Sequence, residues 1–548
     1  MAHSNALGTG NKTITGNSVA GVYALDGSSG DVILSSAISV NTTGAGLFNI
    51  AGNNTIAGVI TLTGGAGGST WQSNSGTLTV TNSITPNATA RSLTLQGSGN
   101  FVLSGAIADG PTVQLPVTKT GSGTLTLSGS STYSGITTIS AGSTLKLGNA
   151  NALGLGGSAL GGEHTSIASG AVLDLNGTTG IPEVIRISGT GISSGGVLVN
   201  ANTSMAASLS SSGGVVMLAN SSIGGAGDFS IGSDISGGFD LTKIGAGTLT
   251  LTGSNSFTGV LRVSAGTVSL ASMNDSGAVG ALGNSSSAVS LGTLAGSTGT
   301  IQYTGTTASS TKLFTMATSG TGAFQIDSSA TVLALSGVID GSGRLNKTGV
   351  GSLALTGINT FTGALNVQGG TLVVLALNDA SIAGAVGNSS TGVTLGNSGN
   401  SIGTIEYTGA TATSNKPFIL ATGGSGAFQV DTSTANLTLS GVLSGAGNLI
   451  KTGPGLLTLN GSNTFTGSTS VTGGTLQITG SSAFAGGGSV NVASGAGFSY
   501  NAPTPAQLTI GGNFTFNGGA GSVLGTSVGS GTSASRILVA GSASTTGS

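Results

Sequence analysis

An all-β fold, a right-handed parallel β-helix forming a single elongated rod, is what this sequence predicts, on three observations. One segment recurs four times, opening at Lys119, Lys243, Lys347 and Lys451; the last three openings lie 104 residues apart and the first precedes them by 124. Inside each copy, apolar residues alternate with period two. Leu457 and Leu459 fall on one strand face, Leu456 and Thr458 on the other. Glycine supplies 103 of the 548 residues, close to three times the usual share of about 7%, and it sits at the ends of these short alternating runs.

The copy opening at Lys451 shows how one unit is built. After Leu456–Leu459 comes a Gly-Ser-Asn turn, then Phe465, a Thr-Gly step and Ser468–Val471 as a second short strand. Gly473 and Gly474 break that strand, because glycine reaches positive φ without a Cβ clash, and Thr475–Ile478 alternates again. Leu457 and Leu476 are 19 residues apart, roughly one coil of a three-sided solenoid. One coil cannot bury its apolar face alone, whereas stacked coils can. At roughly 20–25 residues per coil the chain would make roughly 22–27 coils, on the order of 105–130 Å at about 4.8 Å each.

Residues 1–118 carry degenerate strands such as Asp31–Leu34, Val59–Leu62 and Gly76–Val80. Residues 119–242 hold the first clear unit with an excess of 20 residues, an extra coil or a loop, and Pro182 there suits a strand edge or coil corner. Residues 243–346 and 347–450 are two copies of one block: Gly299–Gly305 matches Gly403–Gly409, and Ala323–Asp327 matches Ala427–Asp431. Residues 451–548 hold the last unit and further coils. Met1–Ser4 has neither the charged start nor the apolar middle of a signal peptide, and Asn5–Gly8 echoes Asn151–Gly154, so the chain is expected to begin partway through a repeat and to belong to something longer.

The unit that opens with Lys, continues through Leu-x-Leu and an aromatic-x-Gly turn, and closes on Gly-Thr-Leu or a near variant resembles the autotransporter-associated β-strand repeat, also called the passenger-associated transport repeat. The resemblance covers about a fifth of the chain. It implies a secreted or surface-displayed β-helical passenger of a Gram-negative-type bacterium, with repeats that assist secretion or folding. It also implies an outer-membrane translocator in the full-length protein; neither a signal peptide nor the strands of such a barrel are read in this sequence.

Composition narrows the partners. Net charge is −2, from 13 basic and 15 acidic residues scattered singly, so no basic stripe offers itself to nucleic acid. Charged residues are 5% of the chain, against about a quarter ordinarily; a disordered low-complexity chain would share that trait, but the strict period opposes it. With no cysteine there is neither a disulfide framework nor a thiolate metal site. No run of 18 apolar residues is present to span a membrane as a helix.

Each group able to do chemistry has a structural alternative. Asp327 and Asp431, like Asp275 and Asp379, recur at block spacing. Four to five coils is roughly 20 Å, too far for two carboxylates to act on one glycosidic bond, and Glu406 stands where the sister block has Gln302. These acids are expected at turns and caps. His3 lies in a leader, and Glu163-His164 is a lone pair without the partners of a triad or zinc site. Gly224–Ile231 approaches the calcium nonapeptide, but Asp228 comes one position early and the motif is not tandem. Tyr133, Phe257, Phe361 and Phe465 are expected to pack over a coil corner, Trp71 to be partly buried, and the four unit lysines to be solvated at a turn, where their charge would discourage sideways pairing. No catalytic, cofactor or metal residue is assigned. The expectation is a non-enzymatic extracellular stalk or scaffold at the cell surface, with no nucleic acid and no small-molecule substrate. Its partners are a cell-surface or extracellular polymer or its own copies, as an adhesin or self-associating protein; a polysaccharide-active β-helix enzyme is the rival.

Overall fold

The computed structural model describes residues 12–15, 23–41, 44–63, 67–87, 91–155, 164–479, 488–502, 506–526 and 535–546. His3, Glu163, Met1–Ser4 and Asn5–Gly8 lie outside the described residues. Apart from one 3-10 turn at Ile192–Ser194, every described element is a strand, and the strand ladders are parallel, stacked as a β-solenoid of about 20 turns. That is below the roughly 22–27 expected of uniform coils, because some coils are longer: Thr137 pairs with Thr165, Ile185 with Val215 and Gly370 with Gly403, separations of 28, 30 and 33 residues.

The chain divides into two compact units, one made of residues 1–262 with 266–268 and 277–285, the other of the remainder. In the first, strict alternation stacks like residues on successive coils. Ile56, Val80, Leu103, Leu127 and Leu147 form one inward column in register. Leu78, Phe101, Leu125, Leu145, Leu173 and Leu198 form the column beside it; the members of both are almost completely buried. Each such side chain contributes roughly 1.5–3 kcal/mol by leaving water, but only when the next coil covers it.

In the second unit a coil has three sides. Phe418–Leu420, Ser425–Val430 and Asn436–Leu439 follow one another in sequence and belong to three different ladders. The repeat block is not a whole number of such coils. Along one ladder, Leu345 is followed at the same position by Leu365, then by Val393, Phe418 and Leu443. The residue 104 positions after Leu345 is Leu449, in the next strand of that coil and on the neighbouring ladder, where it pairs with Thr469. One block is therefore four coils plus one side, and equivalent residues of successive blocks stand on different sides.

Close stacking also explains the glycine after the corner aromatic. A Cβ on Gly363 would lie 1.9 Å from the Gly343 carbonyl oxygen of the preceding coil, and one on Gly467 2.0 Å from that of Gly447. Gly363→Ala is therefore expected to destabilise the second unit by about 1–3 kcal/mol, read as a lower denaturant midpoint. Gly369→Ala, whose Cβ would meet nothing closer than 3.6 Å, should leave the midpoint nearly unchanged.

Candidate functional site

The distinctive side chains of the repeat converge on the joints between coils. In Arg344–Thr348 the alternation that turns Leu345 inward turns Lys347 inward too, and the pairing sets it in a column between Phe324 and Val367. Lys451 sits likewise between Phe428 and Val471, and Lys119 between Leu95 and Ile139. All four unit lysines are fully buried. This corrects the expectation of solvated turn lysines: the charge suggested the surface, but the two-residue period decides the side.

An ammonium in an apolar interior is costly unless its hydrogens are all used. Here the backbone supplies the acceptors. Immediately after the strand the chain curls through Gly349, at φ +72°, so that Lys347 Nζ donates to Thr348 O at 2.7 Å and Gly349 O at 3.0 Å, and reaches Gly369 O on the following coil at 3.1 Å. Lys451 repeats the arrangement with Thr452 O, Gly453 O and Gly473 O at 2.7, 2.8 and 3.0 Å. Lys119 and Lys243 donate to the same two carbonyls of their own turns, Thr120 and Gly121 at 2.6 and 2.9 Å, and Ile244 and Gly245 at 2.8 and 2.9 Å. Burial lowers each of these ammonium groups to a pKa of about 8. Lys416, buried and also lowered to about 8, is a second kind of tie: it donates to Ser389 O at 2.6 Å and to Gly387 O, pinning the preceding loop.

In the second and third copies the corner Asn joins three coils with one amide. Asn359 Oδ1 accepts from Ile339 N at 2.8 Å and its Nδ2 donates to Ala385 O at 3.0 Å. Asn255 does the same between Ile235 N and Ala281 O at 2.9 and 2.8 Å. Beside it the corner aromatic is buried, as expected, in all four copies. Phe361 lies so close beneath Gly387 that a Cβ there would come within 2.5 Å of the ring, and Phe257 lies beneath Gly283 in the same way. The first copy has Tyr133 instead, whose hydroxyl is 2.6 Å from Thr137 Oγ1. Trp71, expected to be partly buried, is fully buried, with its Nε1 donating to Ser69 Oγ at 3.0 Å. It stacks on Leu95 in the column that leads to Lys119.

The acids found by sequence accept from backbone N–H groups or from glutamine side-chain amides. Asp275 accepts from Thr311 N at 2.8 Å and Asp379 from Asn415 N at 2.7 Å. Asp327 accepts from Gln302 Nε2 and Gln325 Nε2, Asp431 from Gln429 Nε2. Asp228 accepts from Thr248 N at 2.6 Å, and no cluster of three metal-ligating side chains occurs among the described residues. His164 has its titration lowered by burial and by Arg186. Comparing acids only at the 104-residue spacing missed Glu406 and Asp431, which meet across adjacent coils; their separation of 25 residues, one coil here, is the signal that finds them.

These geometries predict two effects. Lys347→Met should cost about 1–3 kcal/mol by leaving buried carbonyls without donors, and Asn359→Ala a similar amount, both read by equilibrium denaturation. The pH dependence of the lysines has a definite sign. With a folded pKa of about 8 against an ordinary 10.5, the unfolded chain binds more protons between those values, so stability rises from pH 8 to 10.5. Lys347→Met should lower that slope.

Comparison with known proteins agrees with this anatomy. The passenger-associated-transport-repeat family matches residues 117–151, 241–270, 345–374 and 449–478, each match opening two residues before the buried lysine. The adhesin BmaC autotransporter of Brucella suis biovar 1 (strain 1330) is 33% identical over 337 residues, which is 58% of this chain. The chain spans 9% of that relative's length. No solved structure matches. The chain thus carries four segments that match the passenger-associated transport repeat, each with its buried lysine, and is similar over more than half its residues to an autotransporter adhesin.

Proposed function

We propose that this chain is a non-enzymatic segment of a surface-displayed or secreted autotransporter-type passenger, a stalk or scaffold whose repeats assist folding and secretion. One observation carries the reading. In every repeat the lysine is turned inward; those of the repeats opening at Lys347 and Lys451 bond to the following coil, and the corner asparagines of the repeats opening at Lys243 and Lys347 also make coil-to-coil bonds. A chain emerging outside the cell gains these bonds one coil at a time, so each repeat would fix the register of the coil that follows. Adhesion is the second reading, favoured by the likeness to an autotransporter adhesin. In that case the partner is a cell-surface or extracellular polymer, and the full-length protein has an outer-membrane translocator.

The test replaces Lys119, Lys243, Lys347 and Lys451 together by Met in the full-length protein on its own cells. Surface passenger that resists added protease should fall several-fold; unchanged amount and resistance would remove the folding role. Purified chain should release no reducing ends from a panel of polysaccharides, and release would favour the enzyme. Beads coated with the chain distinguish scaffold from adhesin by whether they bind host cells above uncoated beads.

A further inference from the structure

The two blocks carry one inter-coil clasp in two chemical versions. In the first, Gln302 stands opposite Gln325 on adjacent coils, and both amides donate to Asp327, at 2.7 and 2.8 Å. In the second, Glu406 stands opposite Gln429; Gln429 donates to Asp431 at 2.8 Å, and Glu406 occupies the place of Gln302 beside that same carboxyl group. A glutamine always has N–H to give. A glutamate has a donor only when protonated. We propose that Glu406 and Asp431 share one proton, so that this clasp is made in acid and lost as Glu406 ionises, whereas the Gln302–Asp327 clasp does not respond to pH in this way.

The surroundings leave few other groups to intervene. Val373 faces Glu406 from the preceding coil, and Thr452 faces Gln429 from the following one. Tyr407 points inward, its hydroxyl donating to Ala410 O. Lys451 is the nearby cation; it is buried, engaged with three carbonyls, and acts electrostatically on Asp431. Burial first, then the charge of Asp431 and the hydrogen bond with it, raise Glu406 above its ordinary 4.5. A carboxyl raised in the fold adds stability that is fully present below the unfolded value and disappears as pH rises through the folded one. The clasp is thus tightest in acid.

Native-state hydrogen exchange of the full chain, corrected for intrinsic rates, reads the clasp at the Asp431 amide, which donates to Tyr407 O at 3.1 Å. Between pH 4 and 7 its protection should fall by about tenfold for each unit by which Glu406 is raised. Glu406→Gln should abolish the fall and hold the acid level of protection at pH 7. Gln302→Glu should create a new fall at the Asp327 amide, which donates to Tyr303 O. Identical profiles for the parent chain and Glu406→Gln would overturn the proposal.

Discussion

The joint between one coil and the next depends on a buried ammonium that only backbone carbonyls satisfy. Apolar columns drive the coils together, but they distinguish poorly between Leu, Val and Ile and would tolerate many stackings. The lysine does not. Lys347 and Lys451 take two acceptors from their own turn and a third from the coil that follows, so the clasp is complete only when that coil arrives in register. A slip of one residue would turn the lysine outward and send its apolar neighbours with it. Desolvating the charge is costly, and the carbonyls offset that cost only in one register; what the lysine supplies is a unique alignment at intervals along a repetitive chain.

The glycines and corner asparagines serve the same end. The lysine's turn requires a left-handed residue, met by Gly349 and Gly453, and space beside Nζ, since a Cβ on Gly370 would lie 2.9 Å from it. The asparagine then ties the coil below to the coil above. Lysine, glycines and aromatic, with the asparagine in three of the four copies, are thus parts of one joint, which is why they recur together in a fixed order while the coils between them change.

Much of this was legible in the sequence. The four units, the period-two strands, the parallel stacking and the buried corner aromatics follow from alternation and spacing. The charge of the lysine points to the surface, but its distance of two residues from Leu345, Leu449, Leu241 and Val117, all inward, places it inside. Coil length was misjudged for a different reason: the coils of 28 to 33 residues contain loops without apolar period, so nothing in the pattern counts them. Glu406 and Asp431 stayed unpaired in the sequence because the 104-residue repeat is the stronger signal, although contacts follow the shorter coil spacing.

Comparing the two blocks separates what folds the chain from what can be read on it. Inside, the pairs are the same or nearly so: Leu345 and Leu449, Lys347 and Lys451, Leu353 and Leu457, Phe314 and Phe418, Tyr303 and Tyr407 are buried in both. Outside, Arg344 becomes Asn448, Thr311 becomes Asn415, Thr315 becomes Ile419 and Gln302 becomes Glu406. Because a block is four coils plus one side, even the outward residues that do repeat, such as Thr300 and Thr404, stand on different ladders. The second unit therefore does not present a single repeating strip to a partner. Recognition would have to rest on particular residues of particular coils, held in place by joints that are themselves shut away from solvent. The repeat explains how the surface is carried, and the departures from it are where binding specificity has room to arise.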